Sequence, residues 1–281
     1  MKILVTGGAG FIGTNLIKNL MDDHKVYSLD NYSIGSKKNH LKGAEYIDGD
    51  VIRIEKILKN DFDICYHLAG LSRIQPSFSN PFQTFNANTL AVQKILDWSR
   101  KNNTKVIYSG SSSRHHDQYR SPYAFYKYLG EEICKMYKNI FKLNIQIARF
   151  YNVYGPHEII DGDWAAVIGI WRKQVSLGKK ITIVGDGNQK RDFTHVKDIV
   201  DGLKLIAFSK EDNDDAWELG TGINYSINEV FKMFRERFSV DSEHIEDQAG
   251  NYRETLRLNN EMISVLGWDP KDRLNDYIKS L

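Results

Sequence analysis

The stretch "VTGGAGFIG", Val5–Gly13, decides how this chain begins to fold. It follows a strand-like run, Lys2–Thr6, and places glycines at positions 7, 10 and 13. Gly-x-x-Gly-x-x-Gly lets the backbone turn tightly and approach a pyrophosphate closely, and the helix that follows presents its free N–H groups to the phosphates. That helix is expected near 12–21. A second strand, Lys25–Asp30, then ends on an acid. Asp30 lies twenty residues past Gly10, where a carboxylate can accept both ribose hydroxyls of a dinucleotide. A carboxylate there repels a 2′-phosphate and no arginine follows at once, so NAD is favoured over NADP. "GDV" at 49–51 places Asp50 near the adenine amino group, and "HLAG" at 67–70 ends a strand in small residues that admit the cofactor's middle. His67 reads as a packed strand histidine.

Outward from this turn, short apolar runs alternate with helical patterns. Strands are expected at Asp63–Leu68, Lys105–Gly110 and Asn144–Phe150, with helices near 84–101 and 122–141; Ala91, Ile95 and Trp98 share one helical face. Repeated β-α-β of this kind predicts an α/β fold, a Rossmann-type doubly wound parallel sheet with helices on both faces. Such sheets bind ligands beyond the carboxyl ends of their strands, where the strand order reverses. The second half is less regular, with a turn at Gly185-Asp186-Gly187, helices near 195–209 and 226–237, and an acidic loop at Glu211–Asp215. It reads as a smaller mixed α/β substrate lobe. The expected division is residues 1–155 for the dinucleotide-binding domain and 156–281 for the substrate lobe, with some chain crossing between them.

Composition narrows the possibilities further. A net charge of +2 and no basic run longer than two residues argue against nucleic-acid binding. No apolar stretch approaches the length of a membrane span. The chain enters a strand at once, which leaves no room for a signal peptide. Cys65 and Cys134 both lie in apolar-patterned segments, as buried thiols of a reducing cytoplasm would.

"YSGSSSRHHDQYRSPYAFYK", Tyr108–Lys127, concentrates the chemistry. Ser121 followed by Pro122 suits a helix start, cap then first position. Tyr123 and Lys127, four apart, then share a face. A free phenol titrates near pH ~10, so a base near neutrality needs help, which the ammonium and a positive nicotinamide ring would supply. Ser111, at the end of the preceding strand, can hydrogen-bond the same substrate oxygen. The set reads as a proton relay beside a hydride acceptor. Arg191, after a glycine turn, offers planar donors suited to phosphate, or to a salt bridge with Asp192. Adjacent His115 and His116 rarely converge on one ion, so no metal site is expected.

These pieces, with "DNYSIG", "RFYNVYGP", "GDGNQKRDFTHVKDIVDG", "LGTG" and "LGWDP", resemble an extended short-chain dehydrogenase/reductase of the NAD-dependent sugar-nucleotide epimerase/dehydratase family over nearly the whole chain. The resemblance implies that Gly7, Gly10, Phe11, Ile12, Gly13, Asp30, Asn31, Asp50, Val51, Leu68, Ala69, Gly70, Asn88, Ser109 and Tyr151 hold NAD, together with Tyr123 and Lys127. It implies Tyr123 as base, Lys127 as its partner and Ser111 as its aid. It implies that Ser111, Ser112, Asn152 and Arg191 contact a UDP-sugar or another nucleoside-diphosphate sugar, and that the chain forms a homodimer through the helices near 84–101 and 122–141. Dehydratases of the family usually carry Asp-Glu after the hydroxyl residue and its UDP-glucuronate decarboxylases a glutamate in this region; here Ser112 and Ser113 stand there, which favours epimerisation, most often at C4 of a UDP-hexose or UDP-N-acetylhexosamine, with a 4,6-dehydratase, decarboxylase or reductase of the same family, or a non-catalytic NAD-binding protein, as the alternatives. Tyr123 would take the C4 hydroxyl proton as the hydride leaves; the keto-sugar would turn over and be reduced on its other face. Three features depart from the family pattern: "RHHD" at 114–117, the short step of twelve positions from Ser111 to Tyr123, and Gln248 where a second phosphate-binding arginine is usual. The short loop would open the sugar pocket, where His115 and His116 are placed to touch a substituent, and Arg253 or Arg257 would have to supply the missing charge.

Overall fold

Apolar side chains on both faces of a strand demand cover on both sides. The computed structural model describes residues 1–59 and 61–281. Its strands are β1 (Lys2–Thr6), β2 (Lys25–Asp30), β3 (Glu45–Asp48), β4 (Ile64–His67), β5 (Lys105–Ser111), β6 (Ile145–Phe150), β7 (Asn152–Tyr154), β8 (Ile181–Val184), β9 (Lys190–His195), β10 (Trp217–Leu219), β11 (Asn224–Ser226) and β12 (Ser242–Ile245). Seven of them form one sheet in the order β10-β6-β5-β4-β1-β2-β3, with every neighbouring pair parallel. The chain runs outward from β1 to β3, then returns to lay β4 on the other side of β1. The order therefore reverses between β1 and β4, and a crevice opens beyond their carboxyl ends.

Alternation along the strands sorts the core. Leu4, Cys65, Val106, Tyr108 and Ile145 pack on one face, against Ala91, Ile95 and Trp98 of the helix Ala91–Asn102 and Cys134 and Tyr137 of the helix Pro122–Phe141. Ile3, Val5, Tyr66, Ile107 and Ala148 pack on the other, against the helices Phe11–Leu20 and Val196–Phe208. Both cysteines are buried free thiols. Among the described residues no helix is long and apolar enough to cross a membrane.

Two strands of the large sheet escape a reading of the sequence. β3 is a four-residue edge strand, and β10 is a three-residue strand that comes back from the second half to pair with β6. Elements this short carry little periodicity of their own. The helix expected over 84–101 is in fact Pro81–Phe85, a π-helical turn at Asn86–Leu90, and then Ala91–Asn102. The smaller sheets, β11-β9-β7 and β12-β8, lie in the C-terminal part around Tyr154, Trp171, Phe193, Phe234 and Leu274.

Candidate active site

The crevice at the reversal is a cavity of about 1190 Å³. That exceeds the span typical of a single small-molecule site, roughly 300–1,000 Å³. Its floor is the glycine turn. Gly7 has φ +70, and a Cβ there would lie 2.8 Å from the Ala69 nitrogen. A Cβ on Gly13 would lie 2.2 Å from the Gly7 carbonyl oxygen. The helix Phe11–Leu20 starts on Gly10 with no side chain capping it, so its first N–H groups are left for a ligand. Gly13→Ala is accordingly expected to cost roughly tenfold or more in NAD affinity, each tenfold being about 1.4 kcal/mol. An NAD titration checks this; wild-type affinity would show that the turn tolerates a methyl group.

Asp30 ends β2 beside this turn. Its Oδ2 accepts from the Ala9 N–H at 2.9 Å and its Oδ1 from the Tyr32 N–H at 2.8 Å. A carboxylate has about four acceptor sites, so two remain for ribose hydroxyls. Burial nonetheless raises its pKa, with the two N–H groups opposing. Asn31 donates to Asp50 Oδ2 at 3.1 Å, and Asp50 Oδ1 caps the turn that begins at Val51. All four of these residues line the crevice, as do Phe11, Ile12, Leu68, Ala69, Gly70, Ser109 and Tyr151. Asn88 is buried behind them. From the π-helical turn its Oδ1 accepts from Leu71 N–H at 2.9 Å and its Nδ2 donates to Leu71 O at 2.8 Å, so it clamps the loop that follows β4. His67 is a core histidine, with Nδ1 at 2.7 Å from Thr6 Oγ1 and a pKa lowered to about 3, first by burial and then by Lys127.

At the other end of the crevice, Ser121 caps the helix Pro122–Phe141 by accepting from Ala124 N–H at 3.1 Å. The Tyr123 hydroxyl donates to Ser111 Oγ at 3.2 Å. Ser111 Oγ also accepts from Ser113 N–H at 3.2 Å, and Ser111 N–H donates to Glu131 Oε1 at 3.3 Å. Lys127 is buried and its Nζ donates to the Ser109 carbonyl at 2.9 Å. Burial lowers its pKa to about 8, with Glu131 opposing. Burial raises the Tyr123 phenol; the Ser111 hydrogen bond and the charge of Arg73 pull it back. Lys127 is thus engaged with a main-chain carbonyl, and Arg73, a residue that no local pattern singled out, lines the same cavity.

Beneath Ser111 lies a charged cluster that sequence reading also missed. Arg149 is buried and reaches Glu131 at 2.9 Å, Asp215 at 2.6 Å and Glu218 at 3.0 Å. Tyr151 donates to Glu218 at 2.9 Å, and His115 Nε2 lies 2.8 Å from the same carboxylate. His116 stacks on Tyr252 with ring centroids 4.0 Å apart. The expectation that these two histidines touch the sugar is thus corrected, since neither lines the cavity. The strong carboxylate at β10 draws His115 away.

Ser112, Asn152 and Arg191 all face the cavity. Asn152 donates to Asp192 O at 3.2 Å and Thr255 Oγ1 at 3.0 Å. Arg191 donates to the Lys190 carbonyl at 2.8 Å and makes no ion pair among the described residues. Burial and then Arg253 lower its pKa to about 10. Asp192, its neighbour in sequence, accepts instead from the N–H groups of Thr221, Gly222 and Arg257. The substitutes expected for Gln248 are corrected too: Arg253 pairs with Asp186 at 3.0 Å and Arg257 is buried on the Gly220 carbonyl, and neither lines the cavity, whereas Gln248 does.

Fold and crevice together define a Rossmann-type dinucleotide-binding protein with a hydroxyl relay at its far end. The NAD-dependent epimerase/dehydratase family model matches residues 3–220, and the chain belongs to that family. It is 32% identical over 298 residues to a Methanocaldococcus jannaschii protein assigned as a UDP-glucose 4-epimerase, covering 99% of this chain and 96% of that one. It is similar to the UDP-N-acetylglucosamine 4-epimerase of Methanobrevibacter ruminantium solved with UDP-N-acetylmuramic acid (TM-score 0.91, 28% identity, 99% of this chain, 96% of that one). It is also similar to the UDP-glucuronic acid 4-epimerase of Bacillus cereus solved with UDP-glucuronic acid and NAD (TM-score 0.91, 26% identity, 99% and 97%). NAD is the cofactor of this family, and the residues present fit it: a turn with no room for a Cβ, an uncapped helix start and a ribose-facing carboxylate.

Proposed function

We propose that the protein interconverts nucleoside-diphosphate sugars by epimerisation at C4, with Tyr123 as base and acid, Ser111 as its hydrogen-bonding aid, and Lys127 holding the nicotinamide ribose. The observation that carries this reading is the Tyr123 hydroxyl on Ser111 Oγ at 3.2 Å inside the dinucleotide crevice, with serines at 112 and 113. When bound, NAD supplies a hydride acceptor that serves as donor in the second half of the cycle. Tyr123 receives the C4 hydroxyl proton and later returns it, so the chain ends each cycle unchanged. Glu131, the carboxylate that reaches the Ser111 main chain, is tied to Arg149, and no carboxylate side chain is carried at 112 or 113 to remove water. NMR of UDP-glucose, UDP-N-acetylglucosamine and UDP-glucuronate incubated with the protein tests the reading. A mixture of C4 epimers with NAD retained is expected; a dehydrated sugar, released CO2 or free NADH would overturn it.

Arg191 serves the pyrophosphate in this reading. Arg191→Ala is expected to weaken binding of UDP itself by about 1.5–3 kcal/mol, the range for a hydrogen bond to a charged group. Calorimetric titration checks it, and unchanged affinity removes Arg191 from the phosphate site. Exposed Phe82, Met136, Ile140 and Phe141 on the helices Pro81–Phe85 and Pro122–Phe141 support a homodimer through these helices, and two buried free thiols support a cytoplasmic setting. The division near residue 155 belongs to the same reading: the first part holds NAD and the second closes over the sugar nucleotide.

A further inference from the structure

Arg73 is the cation in the crevice that the relay does not explain. It precedes the short helix Ile74–Ser79, and that helix is joined to the reacting end of the site: the Tyr123 N–H donates to Ser77 Oγ at 3.1 Å. The side chain is half-buried and lines the same cavity as Ser111 and Tyr123. Its Nε donates to the Trp164 carbonyl at 3.1 Å, which spans the crevice and fixes the guanidinium plane. Among the described residues its remaining N–H groups have no hydrogen-bond acceptor and no carboxylate within ion-pair range. Glu158, which also lines the cavity, spends its Oε1 on Arg172 at 2.9 Å and the Tyr277 hydroxyl at 3.1 Å, while its buried Oε2 accepts no hydrogen bond and makes no ion pair with Arg73. The outer N–H groups of this half-buried guanidinium are left to the cavity, where an anion would complete a charge-assisted pair.

In the epimerase reading the pyrophosphate falls to Arg191, and the helix Val167–Ser176, preceded by Ala165 and Ala166, starts at the cavity without a side-chain cap. Arg73 lines the cavity instead at the head of the helix Ile74–Ser79, whose Ser77 accepts from the Tyr123 N–H, toward the end where the sugar ring would react. Resting on the epimerase reading, we propose that Arg73 pairs side-on with a carboxylate carried by the sugar, at C6 or on a C3 substituent, and so selects acidic sugar nucleotides. The planar fork matches a carboxylate through two parallel hydrogen bonds, which a neutral hydroxymethyl or hydroxyl cannot accept equally.

The test compares two substrate pairs that differ in a carboxylate: UDP-glucuronate against UDP-glucose, and UDP-N-acetylmuramate against UDP-N-acetylglucosamine. kcat/KM and calorimetric Kd are measured on the NAD-loaded protein and on Arg73→Gln and Arg73→Lys. In at least one pair the native protein is expected to prefer the acid, and Arg73→Gln to reduce the acid-to-neutral ratio on the order of 10- to 100-fold. Arg73→Lys, which keeps the charge and loses the fork, should fall between. Any general effect of Arg73 on Tyr123 or on folding cancels in the ratio. A ratio unchanged in both pairs overturns the inference and leaves the epimerase reading standing. So does a loss in Arg73→Gln equal for UDP, neutral and acidic sugars, which would place the guanidinium on the pyrophosphate. If none of the four sugars is bound or turned over, the epimerase reading fails and the inference falls with it.

Discussion

Tyr123→Phe is expected to lower kcat roughly a hundred- to ten-thousand-fold while NAD stays bound, the range lost with a positioned general acid–base. The substitution deletes one oxygen and keeps the ring, so the packing of the helix Pro122–Phe141 is untouched. Ser111 Oγ keeps its hydrogen bond from Ser113 N–H and stays in place without a proton acceptor beside it. In the free protein burial holds the phenol pKa above its ordinary value, against the pull of Ser111 and Arg73. The base form therefore grows as pH rises, and the native rate should climb through the alkaline range whereas the residual rate of the variant should not. Product NMR against pH, with bound NAD counted after denaturation, checks both parts. Native turnover in Tyr123→Phe would end the relay.

Arg149→Met is expected to destabilise the fold by about 3–5 kcal/mol, as when one member of a buried ion-pair cluster is removed. Glu131 and Glu218 have side chains only 1% and 4% exposed and would lose their guanidinium together. Asp215, at 57% exposed, reaches water and contributes little. Burial already raises Glu131 despite Arg149; for Glu218 burial acts upward too, but His115 and Arg149 outweigh it and hold the carboxyl low. Without Arg149, Glu131 is raised further in the folded state above its unfolded value, while Glu218 keeps His115. The Glu131 contribution to the variant's stability is then greatest below the ordinary Glu pKa and falls as pH rises through its raised folded value, so the deficit against the native protein should widen from acid to neutral pH. Urea unfolding at several pH values, reading the midpoint at constant slope, measures this. Equal midpoints at neutral pH would show that the cluster is neutral to stability.

How much of this was legible can be argued residue by residue. The glycine turn, Asp30 and the Ser121-Pro122 helix start could be read because each is a local conformational rule: a turn with no room for a side chain, a strand end, a cap. The i, i+4 placement of Tyr123 and Lys127 follows from helix geometry in the same way. The partner of Lys127 did not follow, since the Ser109 carbonyl competes for its ammonium only once β5 and the helix are packed together. Nor did the π-helical turn that aims Asn88 at Leu71, because one wider turn leaves the apolar period almost unchanged.

By itself, the sequence determined the alternation of strands and helices, the dinucleotide turn with its ribose acid, and the hydroxyl, phenol and ammonium of the relay, each read from residues close together in the chain. Tertiary structure alone decided that β10 closes the sheet, that Arg149 gathers Glu131, Asp215 and Glu218 beneath Ser111, and that Arg73, bonded to the Trp164 carbonyl, lines the same crevice as Tyr123. The physical reason is range: propensity, capping and turn sterics act between residues close in the chain, whereas burial and charge act between residues close in space, and only the packed sheet makes those sets meet.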